Sequence, residues 1–257
     1  MSFEDKTIIV TGGAKGIGAG CAEVFHREHG NVVVLDVDES AGETFCELLG
    51  DRAQFIKCDV SREAEVEEAI EQAVAAFGGV DVLVNNAGIL QYSKVTDTLE
   101  EDWDRILDIN LKGAFLCAKH AIPHMIEAGA GIVINMSSVQ AFVTQQNVAP
   151  YVTSKSALIG LTRSIAVDYA PEIRSVAICP GGVDTPLNRA AFQQSADPDR
   201  VRQETIDLHL VERMAQPDDI GELVAFIASE KGSFINGQPI RIDGGMGIKI
   251  GGSKKSE

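Results

Sequence analysis

Short apolar runs of strand length recur along the chain at residues 7–10, 32–35, 54–58, 82–84, 132–135 and 176–179, with a weaker seventh at 239–242. They are almost continuously hydrophobic rather than alternating, the pattern of strands covered on both faces. Between them the period changes. In 63–77 the apolar residues Val66, Ile70, Ala73, Val74 and Phe77 fall at helical spacing. Residues 103–112 and the long stretch 149–169 also read as helices. Strand–helix alternation over the whole length predicts an α/β fold: one doubly wound domain, with a seven-stranded parallel sheet and helices on both faces. One segment breaks the rhythm. Residues 185–210 are polar and helix-prone, and they follow the sixth strand. Loops at strand C-termini form the binding crevice of such a sheet, so this segment is expected to be a substrate lid. The Gly/Lys/Ser-rich end, 247–257, is expected to be a flexible tail unless another subunit holds it.

Composition narrows the setting. A chain of 257 residues fits one large domain, 1–257. No apolar run reaches the roughly 18 residues of a membrane span. Glu4 and Asp5 stand where a signal peptide would carry positive charge, so no membrane partner and a cytoplasmic location are expected. Five cysteines, with no C-x-x-C, read as reduced core thiols. A net charge of −16 repels nucleic acid.

The chemistry begins after the first strand, at Thr11-Gly12-Gly13-Ala14-Lys15-Gly16-Ile17-Gly18. Glycines there tighten the turn and let backbone approach a pyrophosphate, which then meets the amide donors of a helix N-terminus. The spacing is G-x-x-x-G-x-G rather than G-x-G-x-x-G. Asp36 closes the second strand, placed to accept hydrogen bonds from the adenosine ribose and to repel a 2′-phosphate. That favours NAD over NADP. Neither Val37 nor Asp38 reverses the charge, and Lys15 is the one nearby cation compatible with NADP. Asp59 and Val60 follow the third strand, where the carboxylate can meet an adenine amino group. Asn86, Ala87 and Gly88 follow the fourth, where small residues let backbone lie against a cofactor. Both also fit ordinary turn chemistry.

Tyr151 and Lys155 are four residues apart and share one helix face. A cation beside a phenol favours the phenolate, lowering its pKa from about 10. Such a tyrosine exchanges protons with an alcohol near neutral pH. A serine hydroxyl converging from Ser138 would give the substrate oxygen a second partner. Beside a dinucleotide, this reads as hydride transfer at a C–OH or C=O group.

In this order the glycine turn, Asp36, Asp59-Val60, the 85–88 turn, Asn110, Ser138, Tyr151, Lys155 and Pro180-Gly181-Gly182-Val183-Asp184-Thr185 resemble the short-chain dehydrogenases/reductases, from about Thr7 to Gly245. Around Ser138–Tyr151 the likeness runs to archaeal aldohexose and bacterial glucose 1-dehydrogenases. The resemblance implies a Rossmann-type domain that binds NAD, and it implies roles. Tyr151 is the general base for oxidation and the acid for reduction. Lys155 holds the nicotinamide ribose and lowers the Tyr151 pKa, and Ser138 binds the substrate oxygen. Asn110 holds a water that relays protons. Pro180, Gly181, Val183 and Thr185 cover the carboxamide, and Gly12, Lys15, Gly16, Ile17 and Gly18 the phosphates.

Gln140, Gln145, Gln146, Asn147 and Asn188 make an amide-rich neighbourhood suited to an aldose or polyol. Gln140 and Asn188 are the expected substrate contacts. Leu90, followed by Gln91, departs from the acidic residue that several sugar dehydrogenases carry there. The alternatives are a 3-oxoacyl thioester reductase, a hydroxysteroid dehydrogenase and a non-catalytic nucleotide-binding scaffold. Relatives commonly form tetramers, so a homotetramer is expected. No metal is expected: His120 and His124 have Pro123 between them and no third ligand. Trp103 and Phe115 read as helix-face packing, and Leu161, Ile165 and Val167 as core or subunit interface.

Overall fold

The apolar runs form strands β1 (Thr7–Thr11), β2 (Asn31–Asp36), β3 (Ala53–Lys57), β4 (Val82–Asn85), β5 (Gly131–Met136), β6 (Ile173–Pro180) and β7 (Pro239–Ile242) in a computed structural model that describes residues 1–248. All pair in parallel, in the order β3-β2-β1-β4-β5-β6-β7. Successive side chains point to opposite faces, so each strand feeds two cores. Ile8, Val10, Val32 and Val34 join one core; Ile9, Val33, Leu35 and Leu83 join the other. The predicted fold class stands.

The helices are α1 (Gly16–Arg27), α2 (Glu39–Leu49), α3 (Glu63–Phe77), α4 (Glu100–Leu107), α5 (Gly113–Glu127), α6 (Ala149–Asp168), α7 (Pro186–Phe192), α8 (Pro198–Leu208) and α9 (Pro217–Ala228). Helices α1, α2 and α9 supply the first core with Val24, Phe25, Cys46 and Val224. Helices α3, α5 and α6 supply the second with Ile70, Leu116 and Ile165. The lid segment forms α7 and α8. Both open on Pro behind a side-chain cap: Thr185 accepts from the Asn188 amide and Asp197 from the Arg200 amide. Among the described residues no helix is long and apolar enough to cross a membrane.

Several expectations shift. The third strand ends at Lys57, one residue early. The sixth begins at Ile173, because β5 pairs with it from Gly131 onward. The 103–112 helix is two pieces: α4, then a π-helical turn over Asp108–Lys112 that contains Asn110. Phe115 packs only in part within the chain; it is 49% exposed. Of the proposed core-or-interface residues, Ile165 is buried and Val167 is 79% exposed. All five cysteines are free and buried, and burial pushes the Cys21 and Cys58 thiols up to about 12. Of the predicted tail, 247–248 belong to a short 3-10 turn, Met246–Ile248, and 249–257 lie outside the described residues.

Strand order reverses between β1 and β4, so the loops after them open a crevice at the carboxyl end of the sheet. The central strands set its geometry. Ile134→Ala, at a fully buried position of β5, is expected to cost about 2–5 kcal/mol in urea unfolding. A loss below 1 kcal/mol would contradict this packing.

Candidate active site

Gly12 turns the chain from β1 towards α1 with φ +59°, and a Cβ there would stand 2.8 Å from the Ala87 Cα. A Cβ at Gly18 would stand 2.2 Å from the Gly12 carbonyl oxygen. Only bare backbone fits, so the turn lies tight against the 85–88 turn. The buried Thr11 hydroxyl holds the two together, accepting from the Asn86 and Ala87 amides at 3.0 Å each. The Asn86 side chain donates back to the Thr11 and Gly12 carbonyls at 3.0 and 2.9 Å. Gly12, Lys15, Gly16 and Ile17 thereby line a crevice of about 430 Å³ where α1 begins.

Asp36, Asp59, Val60, Asn86, Ala87 and Gly88 line the same crevice. Asp36 is fixed by the Ala14 amide at 3.1 Å and the Asp38 amide at 3.0 Å. Lys15 is ion-paired with Asp38, whose hydrogen bond holds the amine above its ordinary range. One oxygen of Asp59 accepts from the amide and hydroxyl of Ser61 at 3.0 and 2.7 Å, so part of its capacity serves the turn.

Ser138 follows β5 and caps the short turn Val139–Ala141, its Oγ accepting from the Gln140 amide at 3.1 Å. Facing it, α6 presents Tyr151 and Lys155 one turn apart. Lys155 is 4% exposed, and its Nζ donates to the Met136 carbonyl at 2.7 Å, 5.8 Å from the Tyr151 ring centroid. Ser137 anchors the same turn of helix, donating to the Lys155 carbonyl at 2.7 Å. Burial brings the Lys155 pKa down to about 8. It pushes the Tyr151 phenol above its ordinary value, against a hydrogen bond with Ser138 and helped by nearby Tyr92. The expected lowering of Tyr151 by Lys155 is therefore corrected: within the chain alone, desolvation of the phenolate outweighs the Ser138 hydrogen bond.

Asn110 is 1% exposed. Its Oδ1 accepts from the Ile89 amide at 2.8 Å; its Nδ2 donates to the Ile89 carbonyl at 3.0 Å and to Ser154 Oγ at 3.1 Å. Ser154 donates on to the Tyr151 carbonyl at 2.7 Å. The π-helical turn thus clamps the loop after β4 to the helix that carries Tyr151.

A second cavity, about 150 Å³, adjoins Ser138 and Tyr151. Pro180, Gly181, Val183 and Thr185 line it, with Gln140 and Asn188. Gln140 Oε1 is buried without a partner among the described residues. Asn188 is less available than expected, because its Nδ2 donates to the Val183 carbonyl at 2.7 Å. Gln145 lines the cavity while donating to the Tyr92 hydroxyl at 3.2 Å. Gln146 and Asn147 do not line it. Leu90 does, whereas Gln91 turns away to Asp102 and Arg105. Apolar Leu187, Phe192, Leu208 and Met246 complete the wall. His120 and His124 face Glu63 and Glu71 of α3. Sequence reasoning missed Tyr92, Thr11 and Ser154. Thr11, directly before the glycine turn, carried a signal; Tyr92 carried none.

A family described as enoyl-(acyl carrier protein) reductase matches residues 12–247. The aldohexose dehydrogenase of Thermoplasma acidophilum is 38% identical, with a TM-score of 0.91 over 99% of this chain and 98% of that one. The 3-ketoacyl-(acyl-carrier-protein) reductase of Brucella melitensis, solved with NADH, is 34% identical, with a TM-score of 0.89 over 96% and 100%. The cis-4-hydroxycyclohexanecarboxylate dehydrogenase of Sinomonas cyclohexanicum is 38% identical over 95% and 97%. The chain belongs to the short-chain dehydrogenase/reductase family. It is an oxidoreductase of that family, acting on CH–OH groups.

This short-chain dehydrogenase buries an amine whose pKa falls from 10.5 to about 8, so the unfolded chain binds the extra proton between those values. Folding stability from this group is lowest below pH 8 and rises towards pH 10.5. Lys155→Met is expected to unfold at a higher temperature at pH 7, gaining up to about 3 kcal/mol less the lost hydrogen bond. The advantage should vanish above about pH 10. Scanning calorimetry across pH checks this; a variant less stable at every pH would contradict it.

Proposed function

We propose that the chain is an NAD-linked dehydrogenase that oxidises a secondary alcohol of an aldose or polyol, and reduces the carbonyl in reverse. The observation that carries this reading is the convergence of Ser138 and Tyr151 where the substrate cavity meets the Asp36 crevice. The glycine turn at Gly12 and Gly16, which lines the crevice at the start of α1 and is held tight by the close approach of Gly18 to Gly12, fits a dinucleotide pyrophosphate. Asp36 repels a 2′-phosphate, and Asp38 already occupies Lys15, so NAD fits better than NADP.

In oxidation the ionised Tyr151 oxygen accepts the proton of the substrate hydroxyl, while Ser138 donates a hydrogen bond to the same oxygen. Oxidised nicotinamide, when bound, accepts the hydride, and its positive ring favours the Tyr151 phenolate. Lys155 adds positive charge on the side of Met136. Lys155 Nζ and Asn110 Oδ1 lie 3.3 and 3.4 Å from where a Gly88 Cβ would be. Those two side chains therefore converge at the Gly88 turn, and we assign the relay water to Lys155 Nζ, with Asn110 orienting it. In reduction the same groups run backwards.

The free Gln140 oxygen suits a sugar hydroxyl, and the Thermoplasma neighbour supports this assignment. Leu90, Leu187, Leu208 and Met246 favour a second reading, a compact alicyclic alcohol. A cavity of about 150 Å³ is small for a steroid or an acyl chain. The intact, converging triad speaks against a non-catalytic scaffold. Exposed Phe115 and Val167 fit burial between subunits, in keeping with a homotetramer. A cytoplasmic location remains part of the proposal.

The test is dinucleotide reduction with panels of aldoses, polyols and alicyclic alcohols, each with NAD and NADP. Turnover of aldoses with NAD is expected. Turnover of cyclohexanols alone selects the second reading, and turnover of a 3-oxoacyl thioester alone refutes both. Tyr151→Phe is expected to lower kcat about 10²–10⁴-fold while leaving NAD binding intact. Undiminished turnover would refute the mechanism.

A further inference from the structure

His209 stands where the lid returns to the body of the domain, directly after α8. It is 3% exposed, and both ring nitrogens are engaged. The Gly182 amide donates to Nε2 at 2.9 Å, so Nε2 carries the lone pair. Nδ1 therefore carries the proton and donates to the Thr205 carbonyl, 2.7 Å away on α8. The backbone opposite is shaped to the ring. A Cβ at Gly182 would stand 2.9 Å from Cε1, and one at Gly181 would stand 2.8 Å from Nε2. Either would push the imidazole out of place.

The two segments so joined both face the substrate cavity, Gly181 and Val183 from one side and Thr205 and Leu208 from the other. The loop is tied on its far side as well: the Ala215 amide donates to the Gly182 carbonyl at 2.9 Å, and the Asp184 amide to the Ala215 carbonyl at 2.8 Å. His209 is thus the polar link from that braced loop to the lid helix. One rigid ring with a donor and an acceptor bridges both segments, which no aliphatic side chain can do.

We propose that His209 is a positioning residue: its neutral imidazole pins α8 to the backbone at Gly182 and so fixes the roof of the substrate cavity over Ser138 and Tyr151. The inference rests on the dehydrogenase reading above, and its test separates the two. His209→Phe keeps the ring and removes both polar atoms; His209→Gln restores an acceptor for the Gly182 amide. In H209F the KM for the alcohol is expected to rise about ten-fold or more, the size of one lost buried hydrogen bond. Affinity for ADP-ribose, which lacks the nicotinamide, should stay within about three-fold, since the adenosine half of the crevice is remote from the pin. Amide hydrogen exchange at Gly182 and along α8 should accelerate by about the same ten-fold. H209Q should recover most of both losses.

Unchanged KM and exchange in H209F would overturn the proposal. So would H209Q and H209F equally impaired, with ADP-ribose affinity falling in parallel, because that is general destabilisation. Should H209F fail to fold, H209N replaces it: the shorter amide does not reach Gly182, and H209Q must outperform it. Exchange needs no turnover. A wild-type protein inactive on every alcohol would count against the dehydrogenase reading, while the pin is still decided by the exchange rates.

Discussion

Burial of the Lys155 amine beside the Tyr151 phenol is the constraint on which the site depends. The amine is buried and the phenol half-buried, and each is pushed towards its neutral form: the amine down to about 8, the phenol up. The surrounding chain offsets this only in part. Met136 offers one carbonyl to the amine, Ser138 one hydroxyl to the phenol, and Ser137 holds the helix turn between them. The pair is held in place without being fully satisfied. Groups in that condition respond strongly to any charge brought close, because the local dielectric is low.

The rest of the fold supplies the place where such a charge arrives. Reversal of strand order between β1 and β4 opens the crevice, and the Thr11 and Asn86 hydrogen bonds close two loops onto each other at its floor. The crevice therefore rests on buried backbone contacts rather than on surface side chains. Asn110 connects the same floor to α6 through Ile89 and Ser154. Shape at the dinucleotide end and orientation at the reactive end are thus parts of one hydrogen-bonded frame. The lid, by contrast, adds Leu187, Phe192 and Leu208 to the apolar cavity wall, so substrate preference can change there without disturbing the chemistry.

Much of this was legible in the sequence. Strands buried on both faces leave continuous apolar runs, so all seven were found, with boundary errors where pairing extended past the hydrophobic stretch, as at Ile173, or stopped short of its end, as before Cys58. The converging residues were legible because their spacing is chemical: Tyr151 and Lys155 one turn apart, a glycine turn after the first strand, an acid at the end of the second. What was not legible depends on tertiary surroundings. Spacing shows that Lys155 is near Tyr151 but says nothing about how dry they are, and dryness set the direction of the phenol shift. The amide-rich stretch named Gln140, which lines the cavity, yet could not show that the Asn188 amide is spent on Val183 or that Gln146 lies away from the cavity. Tyr92 enters from a loop with no periodicity at all. Phe115 looked like helix-face packing because helical spacing cannot separate a face packed within the chain from one left exposed.

The central claim is that burial keeps Tyr151 protonated in the chain alone and that the charge of a bound oxidised dinucleotide releases it. Difference titration of tyrosinate absorbance, wild type against Y151F, with and without saturating NAD, tests this most directly. The predicted result is a Tyr151 pKa above 10 in the protein alone that falls by about one unit or more with NAD bound. A Tyr151 that titrates below 10 without dinucleotide, or one that NAD leaves unmoved, would contradict it.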